Sequence, residues 1–132
     1  MKDLLRKFPT TRLRRNRLKS GLRSILAESD ITVNDLIQPI FIKENLSGYE
    51  PIVSMPDVNR IGENVLKSEL QKIVDVGIKA IAVFPVIDGK KKDPLGSEAY
   101  KQDNFLNNSI SKIKDLFPEL ITIADVALDP YT

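Results

Sequence analysis

The chain has 132 residues, 42% of them hydrophobic, and a net charge of +2, which is enough chain for one domain with a core. It contains neither Cys nor His. This excludes disulfides, thiolate nucleophiles, Cys-based zinc sites and a histidine general base, so any chemistry must rest on carboxylates, lysines, tyrosines or hydroxyls. No apolar run approaches the roughly 18–20 residues of a membrane span, and we expect no membrane partner.

The charge is concentrated at the start of the chain. Residues 1–23 hold nine Lys and Arg against one Asp, a net charge of +8, which leaves −6 for the remainder. We expect residues 1–30 to form a basic N-terminal arm. It contains a short helix, predicted at about residues 18–28 from its apolar spacing. The apolar residues of that helix are Leu18, Leu22, Ile25 and Leu26.

A basic arm is compatible with several partners. It could bind nucleic acid, grip an acidic partner, pack on a neighbouring copy of the chain, or act as a transit peptide. The arginines are not interleaved with aromatic residues and no nucleic-acid motif is present, so we expect no nucleic-acid partner.

Strands and amphipathic helices alternate after the arm. Strands are predicted at residues 36–42, 80–84 and 120–126, and helices at residues 63–76 and 104–117. The order predicts a parallel α/β sheet with right-handed crossovers over residues 31–132.

Turn and breaker residues divide this part of the chain. Thr32 and Asp35 have the spacing of a capped turn. Pro39 indicates that the first strand is broken or leaves one donor position unused, and Pro85 is expected to end the second strand. Residues 43–60, rich in Gly, Pro, Ser, Asn and Asp, are expected to form a long irregular connection.

The third predicted strand carries the main candidate for function. Asp125 lies inside an apolar run, and a carboxylate there is costly unless it is paired. Because chemistry in parallel α/β folds sits at the carboxyl ends of strands, Asp125 is either a functional residue or part of a structural ion pair. Three adjacent lysines, Lys90, Lys91 and Lys92, could contact a phosphate or a carboxylate, but we interpret them as a solvated loop.

The chain resembles the porphobilinogen synthase (delta-aminolevulinic acid dehydratase) family over about residues 10–132. The motifs are Ser54-Met55-Pro56, Phe84-Pro85-Val86, Gly96-Ser97-Glu98-Ala99-Tyr100 and Asp125-Val126-Ala127-Leu128-Asp129-Pro130-Tyr131-Thr132. Two departures are Asp57, where the family usually has Gly, and Lys101, where it usually has Asn.

The resemblance implies an N-terminal arm and the first three βα units of a (β/α)₈ TIM barrel, incomplete in this chain. It implies a lyase that condenses two molecules of 5-aminolevulinate to porphobilinogen with loss of water, in tetrapyrrole (haem) biosynthesis, without an organic cofactor. It also implies self-association through the arm into a homo-octamer. We expect a cytoplasmic protein, since the resemblance begins inside the arm.

The resemblance also implies roles for the last motif. Asp125 corresponds to an acidic residue beside the two Schiff-base lysines, and we expect a supporting catalytic role. Ala127 and Asp129 stand where zinc-dependent members carry Cys. This implies the zinc-independent type, with no active-site zinc and with Mg²⁺ or a monovalent cation instead. Asp129 is then a candidate ligand of that non-zinc cation, or it contacts substrate or a basic neighbour. Tyr131 and Thr132 are expected to line the substrate site.

The family's Schiff-base lysines lie on later strands, so no lysine of this chain inherits their role. We therefore expect residues 1–132 to be the expressed or ordered part of a longer enzyme and to be inactive alone. The alternative is a non-catalytic, truncated barrel fragment that acts as an assembly or binding module through its basic arm.

Overall fold

The structure, a computed structural model, describes residues 14–132. The chain divides into two compact units, Met1–Ile31 and Thr32–Thr132. Residues 1–13 of the predicted arm, including Arg12, lie outside the described residues. Within residues 14–132, no helix is long and apolar enough to cross a membrane.

The described part of the first unit holds one short helix. A 3₁₀ turn at Arg15–Arg17 precedes helix α1, which covers only Ser20–Ile25 rather than the predicted residues 18–28. The physical reason is local: Lys19 at the N-cap gives no side-chain hydrogen bond, and Gly21 lowers helix propensity. The apolar side chains of this segment are exposed.

The second unit begins with a capped turn that leads into the sheet. Thr32 and Asp35 form a capping box, in which the Thr32 N–H donates to Asp35 Oδ2 at 2.8 Å. This hydrogen bond holds the pKa of the Asp35 carboxyl below its usual range.

Five strands make one sheet in the order β2-β3-β1-β4-β5. Strand β1 pairs in parallel with β3 and β4, β4 pairs in parallel with β5, and β2 pairs antiparallel with β3. The strands are β1 (Ile37–Lys43), β2 (Tyr49–Pro51), β3 (Asn59–Ile61), β4 (Ala80–Val86) and β5 (Ile121–Ala124).

Two helices cover one face of this sheet. Helix α2 (Glu63–Asp75) ends before Gly77, whose φ of +87° is the left-handed conformation that glycine adopts readily. Helix α3 (Phe105–Leu116) is capped by Asn104, whose side chain accepts from the Asn107 N–H at 2.8 Å. The core between sheet and helices includes Ile40, Ile42, Leu66, Leu70, Ile81, Val83, Leu106 and Ile113.

The expectation of an irregular connection over residues 43–60 is wrong in part, because β2 and β3 lie in or beside it. The chain reverses between them in a tight turn, where the Val58 N–H donates to the Met55 carbonyl at 3.1 Å. Asp57, inside this turn, has a φ of +63°. Left-handed backbone favours glycine, which accounts for the Gly that the family usually has here.

Neither proline breaks its strand. Strand β1 runs through Pro39, and β4 continues past Pro85 to Val86, so the prediction that Pro85 ends the strand is wrong. Strand β3 reaches β1 only at Phe41 and Ile42, and β5 reaches β4 only as far as Val83. Each proline therefore lies where its strand has a neighbour on one side alone, and its missing N–H costs no ladder bond there.

The opposite face of the sheet is not covered by either helix, and it is largely apolar over β1, β4 and β5. Phe41 of β1 and Phe84 of β4 are register partners on this face, and their rings stack at 5.4 Å between centroids. Ile37 and Ile121 share the face with them, and are 53% and 58% exposed.

Candidate active site

Three strands end side by side at one edge of the sheet. Strand β1 ends at Lys43, β4 at Val86 and β5 at Ala124, and β4 lies between the other two. The next residue after β1, Glu44, is tied to β4 because its N–H donates to the Val86 carbonyl at 3.2 Å. Residues that follow these strands are thereby gathered at the edge where parallel α/β proteins place their chemistry.

The loop after β4 is ordered by Asp93. Its Oδ1 accepts from the N–H groups of Leu95 at 2.8 Å and Ser97 at 3.1 Å. The Ser97 N–H is the main reason that the pKa of the Asp93 carboxyl lies below its usual range. Gly96, with a φ of +61°, then turns the chain into a 3₁₀ helix at Ser97–Tyr100.

The segment after β5 packs against that loop. It contains a 3₁₀ turn at Asp129–Tyr131, in which the Tyr131 N–H donates to the Leu128 carbonyl at 2.9 Å. The Tyr131 carbonyl in turn accepts from the Asp93 N–H at 3.2 Å. The Tyr131 side chain is only 3% exposed.

A network of charged side chains lies at the same edge of the sheet. Glu98 is 5% exposed, and it accepts a hydrogen bond from Lys101 Nζ at 2.6 Å. Lys91 Nζ lies 3.7 Å from Glu98 and also pairs with Glu44. The other oxygen of Glu44, Oε2, is buried and finds no hydrogen-bond donor within residues 14–132.

These contacts shift the pKa of their members. The hydrogen bond from Lys101 holds the pKa of the Glu98 carboxyl below its usual range, against the opposing effect of burial. The hydrogen bond to Glu44 raises the pKa of the Lys91 ammonium. Burial, followed by the charge of Glu98, raises the pKa of the Tyr131 phenol. Glu98 and Lys91 are therefore both charged near neutral pH, whereas the Tyr131 phenol stays protonated and neutral.

A cleft of about 270 Å³ lies between the segment after β5 and the start of α3. Two of the four predicted site residues, Asp125 and Tyr131, line it together, with Ala127 beside them. Asp125 is exposed and forms no ion pair with any residue in the described range, so the structural ion-pair alternative has no partner there.

The other two predicted residues are not among those that line the cleft. Asp129 and Thr132 are exposed, and the Thr132 hydroxyl donates to the Asp129 carbonyl at 3.5 Å. No group of three Asp or Glu side chains that could hold a metal occurs in the part of the chain that the structure describes. Asp129 supplies at most two of the six or more oxygen ligands of a hard cation, so these residues alone do not fit a metal site.

The sequence did not predict a role for Glu98 or Glu44. For Lys91 the preferred interpretation, a solvated loop, is wrong, and the structure shows the alternative, contact with a carboxylate, since Lys91 pairs with both of them. The spacing of Glu98 and Lys101, three residues apart within a turn, was an available signal. The contact between Lys91 and Glu44 spans 47 residues, and no local pattern predicts it.

Comparison with known proteins identifies one family over the whole described part of the chain. The family model of delta-aminolevulinic acid dehydratase matches residues 10–132. The enzymes of that name from Chlamydia pneumoniae and Methanothermus sociabilis are each 40% identical, over 92% and 96% of this chain. Those stretches are 36% and 38% of the relatives' own lengths.

A solved structure gives the same result. Delta-aminolevulinic acid dehydratase (porphobilinogen synthase) from Toxoplasma gondii, in complex with the reaction product porphobilinogen, is 35% identical, with a TM-score of 0.84. The similarity covers 92% of this chain and 34% of that one, so this chain spans about a third of the length of its relatives. The chain belongs to the delta-aminolevulinic acid dehydratase family.

Proposed function

We propose that the protein is a porphobilinogen synthase, a lyase that condenses two molecules of 5-aminolevulinate to porphobilinogen with loss of water. The observation that carries the proposal is the similarity, over 92% of the chain, to a structure described with porphobilinogen bound.

In this proposal the second unit supplies the first three βα units of a (β/α)₈ barrel. The uncovered apolar face supports it, since Phe41 and Phe84 stack there and Ile121 is left largely exposed. Exposed apolar surface costs about 25 cal/mol per Å², so a face of this kind is normally covered. In a closed barrel the side chains of further strands cover it, and β5 gains a neighbour in place of its open edge.

Asp125 has a supporting catalytic role in the proposed reaction. It follows β5 directly and lines the cleft beside Tyr131. A carboxylate at this place can pair with a cationic intermediate or move a proton to and from the substrate. The nucleophilic lysines belong to later strands of the family's barrel, so this chain contributes the wall of the site and not the attacking amine.

The test of this role is the substitution Asp125→Asn in the whole protein. We expect kcat to fall by about a hundredfold, the size typical of a lost acid–base group. Asp115→Asn, an exposed carboxylate on α3, is the matched control and should leave kcat unchanged. Wild-type kcat and KM in the Asp125→Asn protein would remove Asp125 from the mechanism.

The cation and the assembly belong to the same proposal. Ala127 and Asp129 lack the soft thiolate that zinc prefers, which supports the zinc-independent type. In this proposal the cation is Mg²⁺ or a monovalent ion, and most of its ligands come from outside residues 14–132. The basic arm supports self-association into a homo-octamer by contact with a neighbouring copy. Removal of residues 1–28 should then lower the sedimentation mass of the whole protein, and an unchanged octamer would refute this role of the arm.

A cytoplasmic location is also proposed. Its support is that residues 10–30 of the basic arm lie within the family match.

A further inference from the structure

Glu98 is a charged side chain buried in a polar loop. It is 5% exposed, whereas its neighbours Ser97 and Tyr100 are exposed. Removing a carboxylate from water is costly, and the pairing that offsets the cost seldom yields a net gain in stability. Overall stability is therefore a weak explanation for a buried carboxylate at this position.

The partners of Glu98 come from two directions. Lys101, three residues later, holds one oxygen at 2.6 Å, and Lys91 approaches the other at 3.7 Å. Lys91 also pairs with Glu44, the first residue after β1. Through Lys91, Glu98 is linked to the end of the neighbouring strand, whereas Lys101 holds Glu98 within the loop after β4.

The same loop holds the segment after β5. Asp93 donates its N–H to the Tyr131 carbonyl, and a Cβ on Gly96 would lie 3.5 Å from Leu128 and 3.7 Å from Tyr131. The 3₁₀ helix Ser97–Tyr100, which holds Glu98, contacts the Asp129–Tyr131 turn. The loop thus spans from the strand on one side of β4 to the strand on the other.

We propose that Glu98 is a positioning residue of the site. Paired with Lys91 and Lys101, it fixes the loop against the Asp129–Tyr131 turn, and so fixes the cleft that Asp125 and Tyr131 line. The catalytic consequence rests on the proposed function, whereas the structural part does not.

Hydrogen exchange in the whole protein tests the structural part. Glu98→Gln keeps the shape of the side chain and removes its charge. We expect the Asp93 and Tyr131 amides to exchange at least about tenfold faster, because they open locally, while the Ile81 amide in β4 is unchanged. Glu69→Gln is the matched control, since Glu69 also accepts hydrogen bonds from two side chains, Lys72 and Tyr49, but does so on α2. It should leave the Asp93 and Tyr131 amides as they are.

Steady-state kinetics test the catalytic part. We expect Glu98→Gln to lower kcat about tenfold with little change in KM, because a displaced site wall misaligns the reacting groups. Glu98→Asp, which keeps the charge, should recover part of the loss, and Glu69→Gln should behave as wild type.

Two results would overturn the proposal. One is unchanged exchange at Asp93 and Tyr131, and the other is an equal acceleration there and at Ile81, which would make Glu98 a general stabiliser. If Glu98→Gln does not fold, Lys101→Met removes the closer partner instead and must accelerate the same two amides. A wild-type protein that makes no porphobilinogen would refute the proposed function, while the exchange result would still decide the role of Glu98.

Discussion

The backbone N–H of Asp93 donates to the carbonyl oxygen of Tyr131 at 3.2 Å, which joins the loop after β4 to the segment after β5. Asp93 is also the residue whose carboxylate orders its own loop, through the Leu95 and Ser97 amides. The geometry of the cleft therefore depends on the backbone conformation of residues 93–97 as well as on the residues that line it.

Gly96 is the first place to test this dependence. With a φ of +61°, it has a conformation that costs an L-residue about 1–2 kcal/mol, while the space for a Cβ is ordinary van der Waals contact. Gly96→Ala should lower the free energy of unfolding by about 1 kcal/mol, measured by urea denaturation. Gly89→Ala, in the same loop with open space and no positive φ, should change it by less than about 0.5 kcal/mol. Equal effects of the two substitutions would contradict the strain argument.

At Asp57 we expect a substitution to raise the free energy of unfolding instead of lowering it. Its φ is +63°, and its side chain makes no hydrogen bond or ion pair within residues 14–132. Asp57→Gly should raise the free energy of unfolding by about 0.5 kcal/mol, because relief of strain exceeds the added entropy of the unfolded chain. Asp57→Ala should lower it, because Ala keeps a Cβ and tolerates this conformation less well than Asp. A glycine variant less stable than the alanine variant would show that the turn does not have this backbone.

Acid should destabilise the candidate site through its carboxylates. The Ser97 N–H lowers the pKa of Asp93, and the Lys101 hydrogen bond lowers that of Glu98. Both carboxyls therefore bind protons less tightly in the folded state than in the unfolded state. Their contribution to stability is complete above the usual pKa of about 4 and is lost as the pH falls through the folded-state values. The urea concentration at the midpoint of unfolding should therefore decrease as the pH is lowered from 6 to 3.

The substitution Asp93→Asn isolates one part of this effect. The variant should be less stable at pH 6 and should lose less stability on acidification, because one titrating group is gone. Asp103→Asn, at an exposed position, should keep the full pH dependence. An Asp93→Asn protein with the wild-type slope would mean that Asp93 has no lowered pKa. The pKa of Asp35 is also lowered, so the stability of every variant should still decrease to some extent on acidification.

Long apolar patterns predicted most of the fold. The three predicted strands and two predicted helices correspond to β1, β4, β5, α2 and α3, with ends that differ by no more than two residues. Strands β2 and β3 are three residues each, too short to show a periodicity, and their pairing depends on a turn around Asp57. The prediction that Pro85 ends its strand failed because a strand tolerates proline wherever one side has no neighbour. That is a property of the sheet and not of the segment.

The site was predictable only in its last segment. Asp125 and Tyr131 belong to a motif whose resemblance to a family pointed to them. Glu98 lies in a polar loop. Its spacing from Lys101 signals an ion pair, but nothing local signals its burial. Its surroundings include Lys91 of the same loop and the Asp129–Tyr131 turn, and that turn follows a different strand, so local sequence does not predict this contact.

Residues 1–132 are proposed to line the site while later strands supply the attacking lysines. The most direct test of this proposal is the formation of porphobilinogen from 5-aminolevulinate, measured by the colour reaction of the product. The whole protein should form porphobilinogen, and residues 1–132 alone should form none, because the chain carries the wall of the site without the attacking lysines. Turnover by residues 1–132 alone would contradict the account, as would a correctly assembled whole protein that forms no porphobilinogen.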